Sequence, residues 1–186
     1  MTIALDIPPL ANSLGFAALI GYSLTLLPSI LRIVFPQSKG TTLHKWLLQY
    51  RRHIGVLSLF LSALHGYPYL HKRSLDAGDM MTYLIYIQGV LAFVILILLA
   101  ATSNNWSMKK LKKNWKQLHK LTYALMFLLI WHIWDKMSGH WTYLTPVGLG
   151  VMTGATILFL IRAYTEYETQ RQKDLEKATS LTISEK

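Results

Sequence analysis

The chain has 186 residues and a mass of 21.3 kDa, which suits a single domain. Apolar residues make up 52% and charged ones 15%, against about 25% charged in an ordinary soluble domain. Lys and Arg outnumber Asp and Glu by 19 to 9, and the absence of Cys excludes disulfides, thiolate metal sites and a cysteine nucleophile. The metal-binding and redox-capable side chains that remain are mainly seven His.

Five apolar blocks approach the roughly 20 residues that a membrane-crossing helix needs. Leu10–Phe35 is long and contains Pro28. Trp46–Leu70 is interrupted by Arg51, Arg52, His53 and His65. Thr82–Ala101 has Gln88 as its only strongly polar residue. Leu118–Trp134 holds His119, Lys120 and His132, and Tyr143–Ala163 is rich in Gly. Residues 1–9 carry no basic stretch ahead of the first block, and that block is too long for a signal-peptide core, so it is expected to be a retained helix. The fold expected is all-α, a polytopic membrane bundle of about five transmembrane helices. Residues 1–163 form the bundle and 164–186 a polar cytoplasmic tail.

If five helices alternate sides, sixteen Lys and Arg fall on one face and three on the other. The positive-inside rule then puts the N-terminus outside and the C-terminus in the cytoplasm, in a plasma, inner or internal energy-transducing membrane. This reading makes the basic charge a topology signal, and no nucleic-acid motif accompanies it. The run SMKKLKKNWK reads first as a contact for anionic lipid headgroups, with an acidic partner as the sharper alternative. No Gly-rich phosphate loop occurs, so a nicotinamide site is not expected.

Ionisable residues inside a spanning segment suggest function. The second and fourth blocks run parallel, because one block separates them. His65 lies 12 residues after His53, and His132 lies 13 after His119. At about 1.5 Å per residue these are separations of roughly 18 and 20 Å. Two levels of paired imidazoles result, the arrangement that gives haem iron two axial ligands inside a bundle. Helical phase supports the His65–His132 pair more firmly than the inner pair. His53 and His65 are about 120° apart around their helix, whereas Arg51 is only about 40° from the face of His65. A guanidinium stays protonated and is suited to a haem propionate rather than to iron. His44 is expected at the membrane interface, and His71 and His140 in the outer solvent. Gly150 and Gly154 form a GxxxG pair, read first as intramolecular packing ahead of dimerisation.

The stretches LHKWLLQYRRHIGVLSLFLSALHGYPYL and AATSNNWSMKKLKKNWKQLHKLTYALMFLLIWHIW resemble the two haem helices of the ferric reductase-like transmembrane family. Within it, the ordered set RR-x-x-G, A-L-H-x-x-x-Y, T-S and W-x-x-L-H-K-L-x-Y is most similar to the haem membrane subunits of methionine sulfoxide reductase systems, the MsrQ type. The resemblance covers roughly residues 14 to 135. It implies b-type haem, one or two, with electrons moving outward from the cytoplasmic face. His65 and His132 match the outer ligands and His119 one inner ligand. Arg51 stands where two-haem members have His, and His53 is an alternative two residues on. The resemblance also implies a separate flavin-dependent or other electron donor in the cytoplasm, any flavin coming only through that partner. An outer-side redox partner or a larger membrane complex would take the electrons. The alternative is a non-catalytic small subunit or assembly factor that keeps the family fold.

Overall fold

The computed structural model describes residues 9–72, 80–136 and 142–184. Among these residues the architecture is all-α. Helix α1 spans Leu10–Val34, followed by a 3-10 turn at Pro36–Gly40, and α2 spans Thr42–Lys72. Helix α3 is Met80–Ala101, the short α4 is Asn105–Leu111 and α5 is Lys113–Leu118. Helices α6, Leu121–Lys136, and α7, Leu144–Ser184, complete the chain.

All five apolar blocks therefore form helices of an integral membrane bundle. Three stretches, Leu10–Val34, Tyr83–Ala101 and Leu144–Thr179, are long and apolar enough by themselves to cross a bilayer. The other two depart for clear reasons. Helix α2 is long enough but carries the Arg and His residues, and α6 has 16 residues, about 24 Å against a hydrocarbon core of about 30 Å. The polar tail continues α7 without a break to Ser184.

The main helix contacts close a ring: α2 on α1, α1 on α7, α7 on α6, α6 on α3, and α3 back on α2. The two histidine-bearing helices, α2 and α6, are thus not neighbours in it. The core joins Leu19, Tyr22, Leu26 and Ile30 of α1 to Ile95 and Leu99 of α3, Leu125 and Met126 of α6, and Met152 of α7. Aliphatic residues three and four apart give each helix one such stripe. Exposed Val90, Val94, Phe127 and Trp131 lie on other faces of α3 and α6, as expected where lipid replaces water.

Small residues set the closest approaches. A Cβ on Gly21 would lie 2.4 Å from Ser58 Oγ, so α1 and α2 pack nearly backbone to backbone there. Helices α1 and α7 meet at Gly148, where a Cβ would lie 3.2 Å from Leu19. The expected use of Gly150 and Gly154 in intramolecular packing is not seen. A Cβ on either would meet nothing within 4 Å, and both line an open apolar groove beside Ile20, Leu24 and Leu27. Gly150 is two residues, about 200°, around the helix from Gly148.

Tyr22 ties α1 to α6 across the bundle. Its hydroxyl is buried and donates to the Thr122 carbonyl at the start of α6. The link between α3 and α6 folds out and back, turning at Lys112, whose φ is 47°. Asn104 caps α4 by accepting from the Ser107 amide at 2.7 Å. The indole of Trp115 returns the link to the bundle by donating to the Thr102 carbonyl at 2.9 Å.

Candidate functional site

The His65 ring lies between α2 and α1. Its Nδ1 is 2.7 Å from the Ala11 carbonyl oxygen. A carbonyl only accepts, so Nδ1 carries a proton, and in the neutral form of the ring the lone pair is then on Nε2. Metal-binding imidazoles use this arrangement, with the far nitrogen anchored to a carbonyl. Gly15, one turn after Ala11, leaves space for the ring: a Cβ there would lie 2.8 Å from Nδ1 and 2.9 Å from Cε1. Tyr69 packs against the ring at 5.5 Å between centroids and donates its hydroxyl to Asn12 at 2.9 Å.

The His132 ring packs on α3 at Gly89, where a Cβ would lie 3.3 Å from its Cε1. One residue before Gly89, the buried Gln88 amide donates to Asp135 at 2.7 Å. Gln88 thereby braces α6 one turn beyond His132.

Helix α3 also sets the depth of both histidines. Tyr86 donates to the Tyr69 carbonyl at 3.2 Å. His65 lies four residues inward of Tyr69 on α2, about 6 Å. Gly89 lies three residues inward of Tyr86 on the antiparallel α3, about 4.5 Å. By this count His65 and His132 stand within about one helical turn of each other in height, on parallel helices that the ring holds apart.

At the other end His119 sits in the turn between α5 and α6. Trp115 packs against it, tilted by 31° at 4.1 Å between centroids, and Thr102 Oγ1 is 3.3 Å from its Nε2. The Arg51 guanidinium lies within electrostatic reach of His119, Tyr123 and Arg162. Arg162 donates to the Tyr123 hydroxyl at 2.7 Å and pairs with Glu166 at 3.1 Å. His53 is exposed, and its ring is 6.1 Å from that of Tyr50. The two residues separating it from Arg51 turn it about 200° around α2. Arg51 thus acts electrostatically on His119, while His53 is on a different side of α2.

His44, expected at the interface, is buried at the start of α2. The His71 side chain and His140 lie outside the described residues. Among the described residues no three His, Asp or Glu gather as a metal cage; axial haem ligation asks for only two imidazoles.

The contacts that hold the two rings were not legible in the sequence. The Ala11 carbonyl and the Gly15 and Gly89 spaces carry no sequence signal of their own. Gln88 stood out by its polarity but without its partner Asp135. Arg162, a cation near the end of the last apolar block, was a signal left unused.

The family described as "Ferric reductase like transmembrane component" matches residues 14–130. The chain belongs to this family. Two similar relatives are named protein-methionine-sulfoxide reductase heme-binding subunit MsrQ. The one from Herminiimonas arsenicoxydans is 30% identical over 141 residues, 73% of this chain and 64% of that protein. The one from Bordetella pertussis is 31% identical over 134 residues, 69% of this chain and 65% of that protein. A third of the same name, from Brucella anthropi, is 37% identical over 82 residues, or 41% of this chain and 37% of that protein. The chain spans just under two thirds of the length of the first two. The family match runs from α1 into α6 and so takes in His65 and His119; His132 follows its end by two residues.

Proposed function

We propose that the protein is a membrane haem-binding electron-transfer subunit, in which His65 and His132 would hold one b-type haem. The observation that carries the reading is the placement of the two imidazoles within about one helical turn in height on parallel, non-adjacent helices, together with the anchoring of His65 Nδ1 to a carbonyl. The donor set fits the group: two imidazoles, no carboxylate cage among the described residues, and Gly beside each ring. The names of the relatives agree with it.

Haem, when bound, supplies a one-electron carrier. The chain's own residues supply the rest. The Ala11 carbonyl fixes the His65 tautomer, and Gly15 and Gly89 admit the rings. The Gln88–Asp135 bond holds the end of α6. At the inner level His119 offers an imidazole, and the Arg51 and Arg162 guanidiniums offer positive charge for carboxylates or another anionic group. The exposed position of His53 supports leaving it out of that site.

In this reading the cytoplasmic side is the end that carries the Lys-rich link. Residues 1–163 are the haem-binding bundle and 164–186 the cytoplasmic tail. Electrons come from a separate cytoplasmic donor, flavin-dependent or otherwise, and leave to an acceptor on the outer side.

The test is the absorption spectrum of the purified protein, with haem counted per chain. A reducible low-spin spectrum, lost in both His65→Ala and His132→Ala while the helices persist by circular dichroism, is the expected result. Wild-type protein that purifies without haem in a stoichiometric complex would overturn it in favour of a structural subunit.

A further inference from the structure

The Lys-rich link holds no haem in this reading beyond marking the cytoplasmic side, yet it is built onto the inner site. Between Thr102 and Lys120 there are six Lys and no Asp or Glu, and Lys109, Lys110, Lys112, Lys113, Lys116 and Lys120 are all exposed. The link is a folded element. Asn104 caps α4, Ser107 is buried, and Trp115 is bonded to the end of α3 and packed against His119. Helix α5 therefore lies at the adjoining ends of α3 and α6, directly against His119.

The direction of the charges follows from helical phase. Lys109 is two residues from buried Ser107 and Lys113 two from Trp115, so each points about 160° from the side that faces the bundle. Both charges are exposed and point away from the packed side. Trp106 is 67% exposed and Met108 42%. They place apolar surface beside the charges, with Lys110 Nζ 4.6 Å from the Trp106 ring. Exposed Trp and Met are residue types that protein interfaces favour at their centre, and the Lys around them form a charged rim. The tail from Arg162 to Lys186 balances five basic against five acidic residues, so the link is where positive charge concentrates.

We infer that the α4–α5 elbow is the landing surface for a soluble electron donor that presents an acidic face, and that Trp115 and His119 mark where the electron enters. The inference rests on the electron-transfer reading above and adds the chemistry and place of the partner. Complementary charge steers such an encounter and speeds association, and salt weakens it.

The experiment uses the full chain with its haem in phosphatidylcholine nanodiscs. The probe is a plant-type ferredoxin, an acidic one-electron donor, reduced photochemically. Two quantities are measured: ferredoxin binding to the discs, and haem reduction by stopped flow. Both should weaken on the order of tenfold in Lys109→Glu/Lys113→Glu and at high salt. Lys173→Glu, in the tail, should change neither. Equal extents of reduction by dithionite show that the haem is intact in the variants.

Wild-type binding and rate in the double variant would overturn the inference. A separate measurement covers lipid: if the detergent-purified double variant loses the phosphatidylglycerol that wild type retains from mixed phosphatidylcholine–phosphatidylglycerol vesicles, with ferredoxin binding unchanged, the elbow is reassigned to lipid and the inference is overturned. A chain without dithionite-reducible haem refutes the electron-transfer reading, and ferredoxin binding then still decides for or against the docking surface.

Discussion

Replacing Gly15 by Ala adds one methyl group where the His65 ring passes. The new Cβ would stand 2.8 Å from Nδ1, 2.9 Å from Cε1 and 3.1 Å from Cγ. Carbon contacts are comfortable at about 3.5–4.0 Å, so the ring has to withdraw by roughly 0.7 Å or α1 has to move. Either change strains the 2.7 Å bond from Nδ1 to the Ala11 carbonyl. Overpacking costs about 1–3 kcal/mol and the lost hydrogen bond about 1 kcal/mol more. If His65 holds haem, a penalty of about 2–4 kcal/mol weakens retention by about 30-fold or more. The assay is haem transfer to excess apomyoglobin, with circular dichroism to confirm the helices. Gly89→Ala, whose Cβ would lie 3.3 Å from His132 Cε1, should have a smaller effect in the same direction. Gly150→Ala, which meets open space, should have none. Wild-type haem retention and spectrum in Gly15→Ala would refute the role given to the His65 ring and its carbonyl anchor.

Tyr22→Phe removes the buried bond to the Thr122 carbonyl and should cost about 1 kcal/mol, read as a lower Tm in detergent; an unchanged Tm would deny that this tie between α1 and α6 matters. Arg51→Gln should alter the midpoint potential or spectrum of whatever binds at the inner level, whereas His53→Ala should leave both unchanged. A spectral loss in His53→Ala alone would reverse that assignment. Reporter fusions at Ser74 and Lys173 should report opposite sides of the membrane, with Lys173 cytoplasmic, as expected from the sixteen-to-three distribution of Lys and Arg. Same-side results would contradict the five-crossing topology.

Much of the architecture was legible in the sequence because membranes demand it. A bilayer satisfies no backbone group, so long apolar blocks must be helices. Their order alone made α2 and α6 parallel, and residue counting placed His65 near the height of His132. The separation of Arg51 and His53 was also present in the residue numbers, since helical phase is set by the chain.

Other features came only from the tertiary structure. The sequence does not say that the Ala11 carbonyl meets His65, because that contact joins residues 54 positions apart through the rotation of α1 against α2. GxxxG spacing marks a face suited to close contact, but the packing of α1 and α7 used Gly148 and left Gly150 and Gly154 beside an open groove. The partner of Gln88 and the convergence of Arg51, Tyr123 and Arg162 likewise depended on how the ring closed. Hydropathy and helical period are local properties and are fixed one segment at a time. The azimuth of each helix is set by the packing of all five together, and it decides which polar groups meet.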